Sequence, residues 1–189
     1  MMAVSYNPWL VLLSLALAAL DAYVAFSVVG RIARSRGPGA VLWTAFGALA
    51  MGSGVWAMHF IGMLALQVPI PLGYDSQRTT LSAVPVVVAT GATLWLLARH
   101  PTRRGAVLAG CAMGVGMTAM HYLGVRALDM QPAIAWRAPW TIASLLFALI
   151  GSIAAIGLHS VIWRSDRRRR WWLRVLSALM LGGTATGVH

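Results

Sequence analysis

The chain has almost no acid. Asp21, Asp75, Asp129 and Asp166 are its entire carboxylate inventory, scattered over 189 residues, which argues against the paired carboxylates of general acid–base catalysis. A single cysteine, Cys111, excludes an intrachain disulfide. There is no glycine-rich phosphate loop and no nucleophile with an adjacent base, so the expectation is that the chain is not an enzyme. Charge is scarce altogether: 10% of residues are charged and 59% are hydrophobic, whereas a water-soluble domain is about a quarter charged. The chain is therefore expected to be an integral membrane protein of the all-α class.

Six apolar stretches are long enough to span, since a bilayer helix needs roughly 20 residues. They cover about 9–29, 41–66, 81–98, 106–128, 140–163 and 171 to at least 188. The connections are short and hold Gly, Pro or charge, as in Arg36-Gly37-Pro38-Gly39 and Arg99-His100-Pro101. This pattern predicts one polytopic helix bundle of six spans, arranged as three tandem helical hairpins over about 6–66, 74–128 and 136–189, with no separate soluble domain.

The net charge of +11 would suggest nucleic acid in a soluble domain, but here the basic residues form short clusters between apolar runs. The lipid bilayer is the expected partner, and nucleic acid is not. All fifteen basic residues are arginine. In the six-span layout Arg31, Arg34, Arg36, Arg99, Arg103, Arg104, Arg164, Arg167, Arg168, Arg169, Arg170 and Arg174 fall on one side. Arg78, Arg126 and Arg137 fall on the other. The positive-inside rule then places the N-terminus outside. No positive charge precedes the first span and three follow it, so it is expected to stay in the membrane rather than be cleaved.

One phrase recurs along this layout. Met51-Gly52-Ser53-Gly54-Val55-Trp56-Ala57-Met58-His59-Phe60-Ile61-Gly62 returns as Met113-Gly114-Val115-Gly116-Met117-Thr118-Ala119-Met120-His121-Tyr122-Leu123-Gly124. A third copy, Leu181 to His189, repeats the frame and stops at the histidine. Every second span carries the phrase near its C-terminal end, so His59, His121 and His189 are expected at the same, extracytoplasmic, face, about a rough threefold axis. Gly52 and Gly54, Gly114 and Gly116, and Gly182 and Gly183 permit close helix approach in lipid.

Imidazole and thioether are ligands that soft and borderline transition metals prefer. His59 and Met63 stand at i and i+4 on one helix face, so both can reach one ion. Met58 and Met120 are adjacent to their histidines and point about 100° away. The candidate ligand set is His59, His121 and His189 with a thioether from Met63, Met58 or Met120. Nitrogen plus sulfur suits copper, and ligand type alone leaves zinc open. Two other residues stand out. Asp21 lies inside the first span, where a carboxylate costs roughly 2.5–3.5 kcal/mol on insertion scales, so it should be uncharged, paired to Ser or Tyr, or facing a wet cavity. Cys111 is about 15 Å along the helix from His121 and cannot share its ion.

Paired spans with a Met-His phrase ending every second helix, opened by Tyr6-Asn7-Pro8 and Tyr74-Asp75-Ser76, resemble the MHYT family of bacterial integral membrane sensor domains over nearly the whole chain. The resemblance implies residence in the bacterial inner membrane and a sensor of oxygen, carbon monoxide or nitric oxide through protein-bound copper. It also implies coupling to cyclic-di-GMP enzymes or other output domains. In that family pattern Met58 and Met120 are the favoured thioethers. The match is uneven, since the second copy lacks the trailing Met and the third lacks the leading one.

The expected function is thus a membrane sensory module that binds copper near the outer face and signals through helix packing, with a diatomic gas as ligand and a separate cytoplasmic or membrane output protein. Two alternatives stand beside it: a metal-transport or metal-delivery protein, and a structural membrane module without metal. Because the third phrase is unfinished at His189, the chain reads as a truncated copy of a longer pattern.

Overall fold

A computed structural model describes residues 5–67, 73–129 and 138–162. The first hairpin opens with β1 (Ser5–Tyr6) and the helix α1 (Pro8–Arg34). Asn7 caps α1 by accepting from the Trp9 amide at 3.0 Å, and Pro8 at the first helical position has no amide to leave unsatisfied. The turn to α2 (Pro38–Leu64) runs through Gly37 at φ 54°, a left-handed conformation that glycine adopts without strain. β2 (Leu66–Gln67) then pairs antiparallel with β1 and closes the hairpin at its open end.

The second hairpin repeats this plan. It runs β3 (Gly73–Tyr74), α3 (Ser76–Leu81), α4 (Ala83–Arg99), α5 (Arg103–Val125) and β4 (Leu128–Asp129), and β3 pairs antiparallel with β4. Asp75 caps α3 as Asn7 caps α1. The Asp75 amide donates to the Ala127 carbonyl at 2.9 Å, as the Asn7 amide donates to that of Ala65 at 2.8 Å. α6 (Ala138–Ile162) opens a third unit.

Among the described residues four helical segments are long and apolar enough to cross a membrane: Pro8–Arg34, Pro38–Leu64, Ser76–Arg99 and Arg103–Val125. α6, of 25 residues, includes the apolar stretch Ile142–Gly157. The sixth expected span and the end of the third hairpin lie outside the described residues. Helix boundaries differ from the apolar runs for a physical reason. α1 carries Arg31 and Arg34 in its last turn, because 27 residues reach about 40 Å and overrun a hydrocarbon core of about 30 Å. The Arg31 guanidinium stacks on the Trp43 ring at 4.6 Å, at the level where that overrun reaches the interface.

The helices pack in the order α1, α2, α4, α5, α6, with α4 between α2 and α5. Lipid gives apolar side chains no reason to leave it, so close association relies on backbones that can approach. A Cβ on Gly52 would lie 2.6 Å from the Val87 Cα, and one on Gly114 would lie 2.9 Å from the Leu149 Cα. Both pairs are shifted by 62 residues, so the contact between hairpins one and two is rebuilt between hairpin two and α6. The repeat seen in sequence is therefore a repeat of interfaces as well as of helices.

Candidate metal centre

His59 sits five residues before the end of α2 and His121 four before the end of α5. These ends share one side of the bundle with Arg78 and Arg126, opposite the arginines of the α1–α2 and α4–α5 turns. The two rings meet there. His121 Nδ1 and His59 Nε2 are 3.4 Å apart, one donating to the other, with ring centroids 5.1 Å apart and planes at 76°. The residues are 4% and 8% exposed, so the pair is shielded from lipid and solvent.

The pair spans a gap. α2 and α5 each pack broadly on α4 and scarcely touch one another elsewhere. The histidines are thus a strut joining the first hairpin to the second over the start of α4. Aromatic rings brace it: Phe60 lies edge-on to His59 at 5.7 Å and Tyr122 edge-on to His121 at 5.1 Å. Tyr74 lies 6.4 Å from Phe60, and burial pushes its phenol above the usual tyrosine range.

Three serines near the strut were not legible as a group in the sequence. Ser14 Oγ donates to the Met58 carbonyl at 2.9 Å, Trp56 Nε1 donates to Ser82 Oγ at 3.0 Å, and Tyr122 and Ser144 share a hydroxyl hydrogen bond of 2.6 Å. Their spacing of 68 and then 62 residues matches the offsets of the hairpins. That spacing was the available signal, once the hairpins rather than the Met-His phrases were aligned.

The thioethers are divided. Met58 and Met120 are 4% and 1% exposed and belong to one apolar cluster with Met113 and Met117. Met63 is also buried, at 6% exposed, but outside that cluster. Met113 lies 3.9 Å from the Thr90 hydroxyl and Met117 3.8 Å from that of Ser152, each as a weak acceptor. His189 lies outside the described residues. Among the described residues no three His, Cys, Asp or Glu side chains form a metal-binding group, so the described part of the expected ligand set is two imidazoles with buried thioethers near them in sequence.

Of the three settings open to Asp21, pairing to Ser or Tyr is not the one seen among the described residues. It faces Gly54, whose missing side chain makes room for the carboxylate, and its Oδ2 is buried with no hydrogen-bond partner. Neither a serine nor a tyrosine reaches it among the described residues. Cys111 is a partly buried free thiol.

A single transition-metal ion, copper or zinc, fits the donor set on one test. Two nitrogens held about 2.0–2.1 Å from the same ion can stand up to about 4 Å apart, and the imidazole nitrogens stand 3.4 Å apart. Neutral imidazole with thioether is also the donor class copper accepts.

Fold and site together define a membrane helix bundle built from tandem hairpins and tied at one end by a buried histidine pair. The chain belongs to the MHYT family, described as the bacterial signalling protein N-terminal repeat, whose model matches residues 52–110 and 114–178. It is 42% identical over its whole length to the bifunctional diguanylate cyclase/cyclic di-GMP phosphodiesterase MucR of Pseudomonas aeruginosa, covering 28% of that protein. It is 32% identical to the cyclic di-GMP phosphodiesterase NbdA of the same organism, with 98% of this chain and 24% of the relative aligned. The signaling protein YkoW of Bacillus subtilis is 24% identical over 98% of this chain and 23% of its own length. The chain thus spans about a quarter of the length of these curated relatives. No solved structure matches it.

Proposed function

We propose that the chain is the membrane-embedded sensing module of a bacterial signalling system acting on cyclic di-GMP. In this reading it lies in the inner membrane with the N-terminus outside, and it holds copper through His59 and His121. Met63, Met58 or Met120 supplies a thioether and His189 a third imidazole. Copper would supply a centre that changes redox state and keeps a coordination position open to a diatomic gas. Catalysis belongs to an output domain or protein and not to this chain.

The observation that carries the proposal is the buried His59–His121 pair, made by equivalent residues of two repeats. Two ring nitrogens hold a single hydrogen between them. A change in what occupies that gap alters the distance the two hairpins keep at this end. Gly52 against Val87 lets α2 bear directly on the backbone of α4, so a shift at the strut reaches the arginine-bearing turns through rigid helices. Signalling then requires only that two packings differ in their affinity for the ligand. Burial of Met113 and Met117 in the apolar core supports a sensor over a transport path, which would need them to line a polar route.

The test is spectroscopic. Copper-loaded protein in lipid nanodiscs, exposed separately to oxygen, carbon monoxide and nitric oxide, should show a change in its electron paramagnetic resonance or optical spectrum with at least one gas. No copper bound, or a copper spectrum indifferent to all three, overturns the proposal. Copper uptake into sealed vesicles would replace it with transport.

A further inference from the structure

At the end of the bundle away from the histidines, α2 and α4 leave an open groove of about 430 Å³ with an entirely apolar lining. Val41, Ala45, Ala48, Val88, Gly91 and Trp95 are among the residues that shape it. The groove exists because its floor is made of small residues. A Cβ on Gly91 would already lie 3.2 Å from that of Ala48, so the helices are close and nothing rises between them. From Val41 to Leu49 it runs about 12 Å along α2, the reach of a good part of one acyl chain. The hydroxyl of Thr44, which also lines it, is spent on the Ala40 carbonyl at 2.8 Å.

The mouth of the groove is charged. The Arg99 guanidinium lies over the Trp95 ring at 4.9 Å and donates to the Ser35 carbonyl at 3.1 Å. These two contacts fix it at the groove's interfacial end, and a guanidinium with five N–H donors has others to offer. Arg31, Arg34, Arg36, Arg103 and Arg104 stand at the same end of the helices. Among the described residues no carboxylate does: Asp21 lies midway along α1, while Asp75 and Asp129 lie at the far end, where Asp75 pairs with Arg78 at 3.6 Å. An apolar slot for a chain, capped at its arginine-bearing end by a guanidinium with no carboxylate beside it among the described residues, is complementary to one class of membrane component.

We propose that the α2–α4 groove binds an anionic phospholipid, with an acyl chain along Ala45, Ala48 and Gly91 and the phosphate on Arg99. Basic pockets between membrane helices recognise acidic headgroups in this way. The next interface of the repeat supplies an internal contrast. Sixty-two residues on, Ile153 stands where Gly91 does, Gly157 where Trp95 does and Val161 where Arg99 does. At those three positions the second interface offers neither the small floor residue, nor the aromatic ring, nor the guanidinium of the first.

The full chain, reconstituted in vesicles of equal phosphatidylglycerol and phosphatidylcholine and released for native mass spectrometry, should retain phosphatidylglycerol about fivefold over phosphatidylcholine, the weight of one basic residue at such a surface. Ala45→Leu, at an exposed position on the groove wall, should abolish retention while helix content by circular dichroism is unchanged. Arg99→Gln should retain lipid with the headgroup preference lost. Equal retention of both lipids by the wild type, or undiminished retention by Ala45→Leu, would overturn the proposal. So would a dimer that Ala45→Leu dissociates, since the groove would then belong to a second copy of the chain.

Discussion

Gly54 lies directly against the carboxylate of Asp21, across the interface of α1 and α2. In the second hairpin the matching place, Gly116, lies against the methyl group of Ala89. The fold thus builds the same notch twice and fills it once with a small apolar side chain and once with an acid. The buried oxygen of that acid has no partner, and a buried polar group without one costs roughly 1–3 kcal/mol.

Asp21→Ala is therefore expected to stabilise the chain by roughly 1–3 kcal/mol, read as a raised midpoint of thermal unfolding in detergent. Gly54→Ala should destabilise the wild type, because its new methyl would strike the carboxylate, and should do so less in the Asp21→Ala background. A lower midpoint for Asp21→Ala would mean that the carboxyl has a stabilising partner, and the notch would need another account.

Gly52 and Gly114 carry the contacts between hairpins. Alanine at either would press on the backbone of Val87 or Leu149, and overpacking of that kind costs about 1–3 kcal/mol. Gly39→Ala meets only the Ser35 Cβ at 3.9 Å and should be close to neutral. Unfolding midpoints of the three variants, compared in the same detergent, check the contrast.

Tyr122→Phe removes the hydroxyl that meets Ser144 at 2.6 Å, and an intramolecular hydrogen bond is worth about 0.5–1.5 kcal/mol net. The first hairpin already has Phe60 at the matching place. The variant should lose stability in that range while copper binding, measured by equilibrium dialysis, stays as in the wild type. Loss of binding would make the phenol part of the site.

Copper held by neutral imidazoles must compete with protons, so its apparent affinity falls as pH falls. Dialysis across a pH series should show binding weakening toward acid and proton release on loading. Binding that holds its strength into acid would point to thioether ligands alone.

Much of this organisation was legible in the sequence, because a repeat in lipid must rebuild the same interfaces. The Met-His phrase located His59 and His121 on one side of the bundle, and the glycines before them marked where helices touch. The sequence could not place the three thioethers. One residue's step on a helix turns a side chain by 100°, and which way it then faces depends on a neighbouring helix the sequence does not specify. Asp21 was visible as an anomaly, but its lack of a partner is a property of two helices in register. Ser14, Ser82 and Ser144 escaped because each is an ordinary helix residue until the hairpins are superposed. The third imidazole and the sixth span fall outside the described residues.

His59 and His121 are proposed to act as one site. Equilibrium copper binding to the purified chain, with His59→Ala, His121→Ala and the double variant measured side by side, tests it most directly. The account predicts one copper per wild-type chain. Each single variant should lose more than the roughly 10–100-fold in affinity that removal of an outer-shell partner costs, and the double variant should be little worse than either single. Wild-type stoichiometry and affinity in either single variant would contradict it.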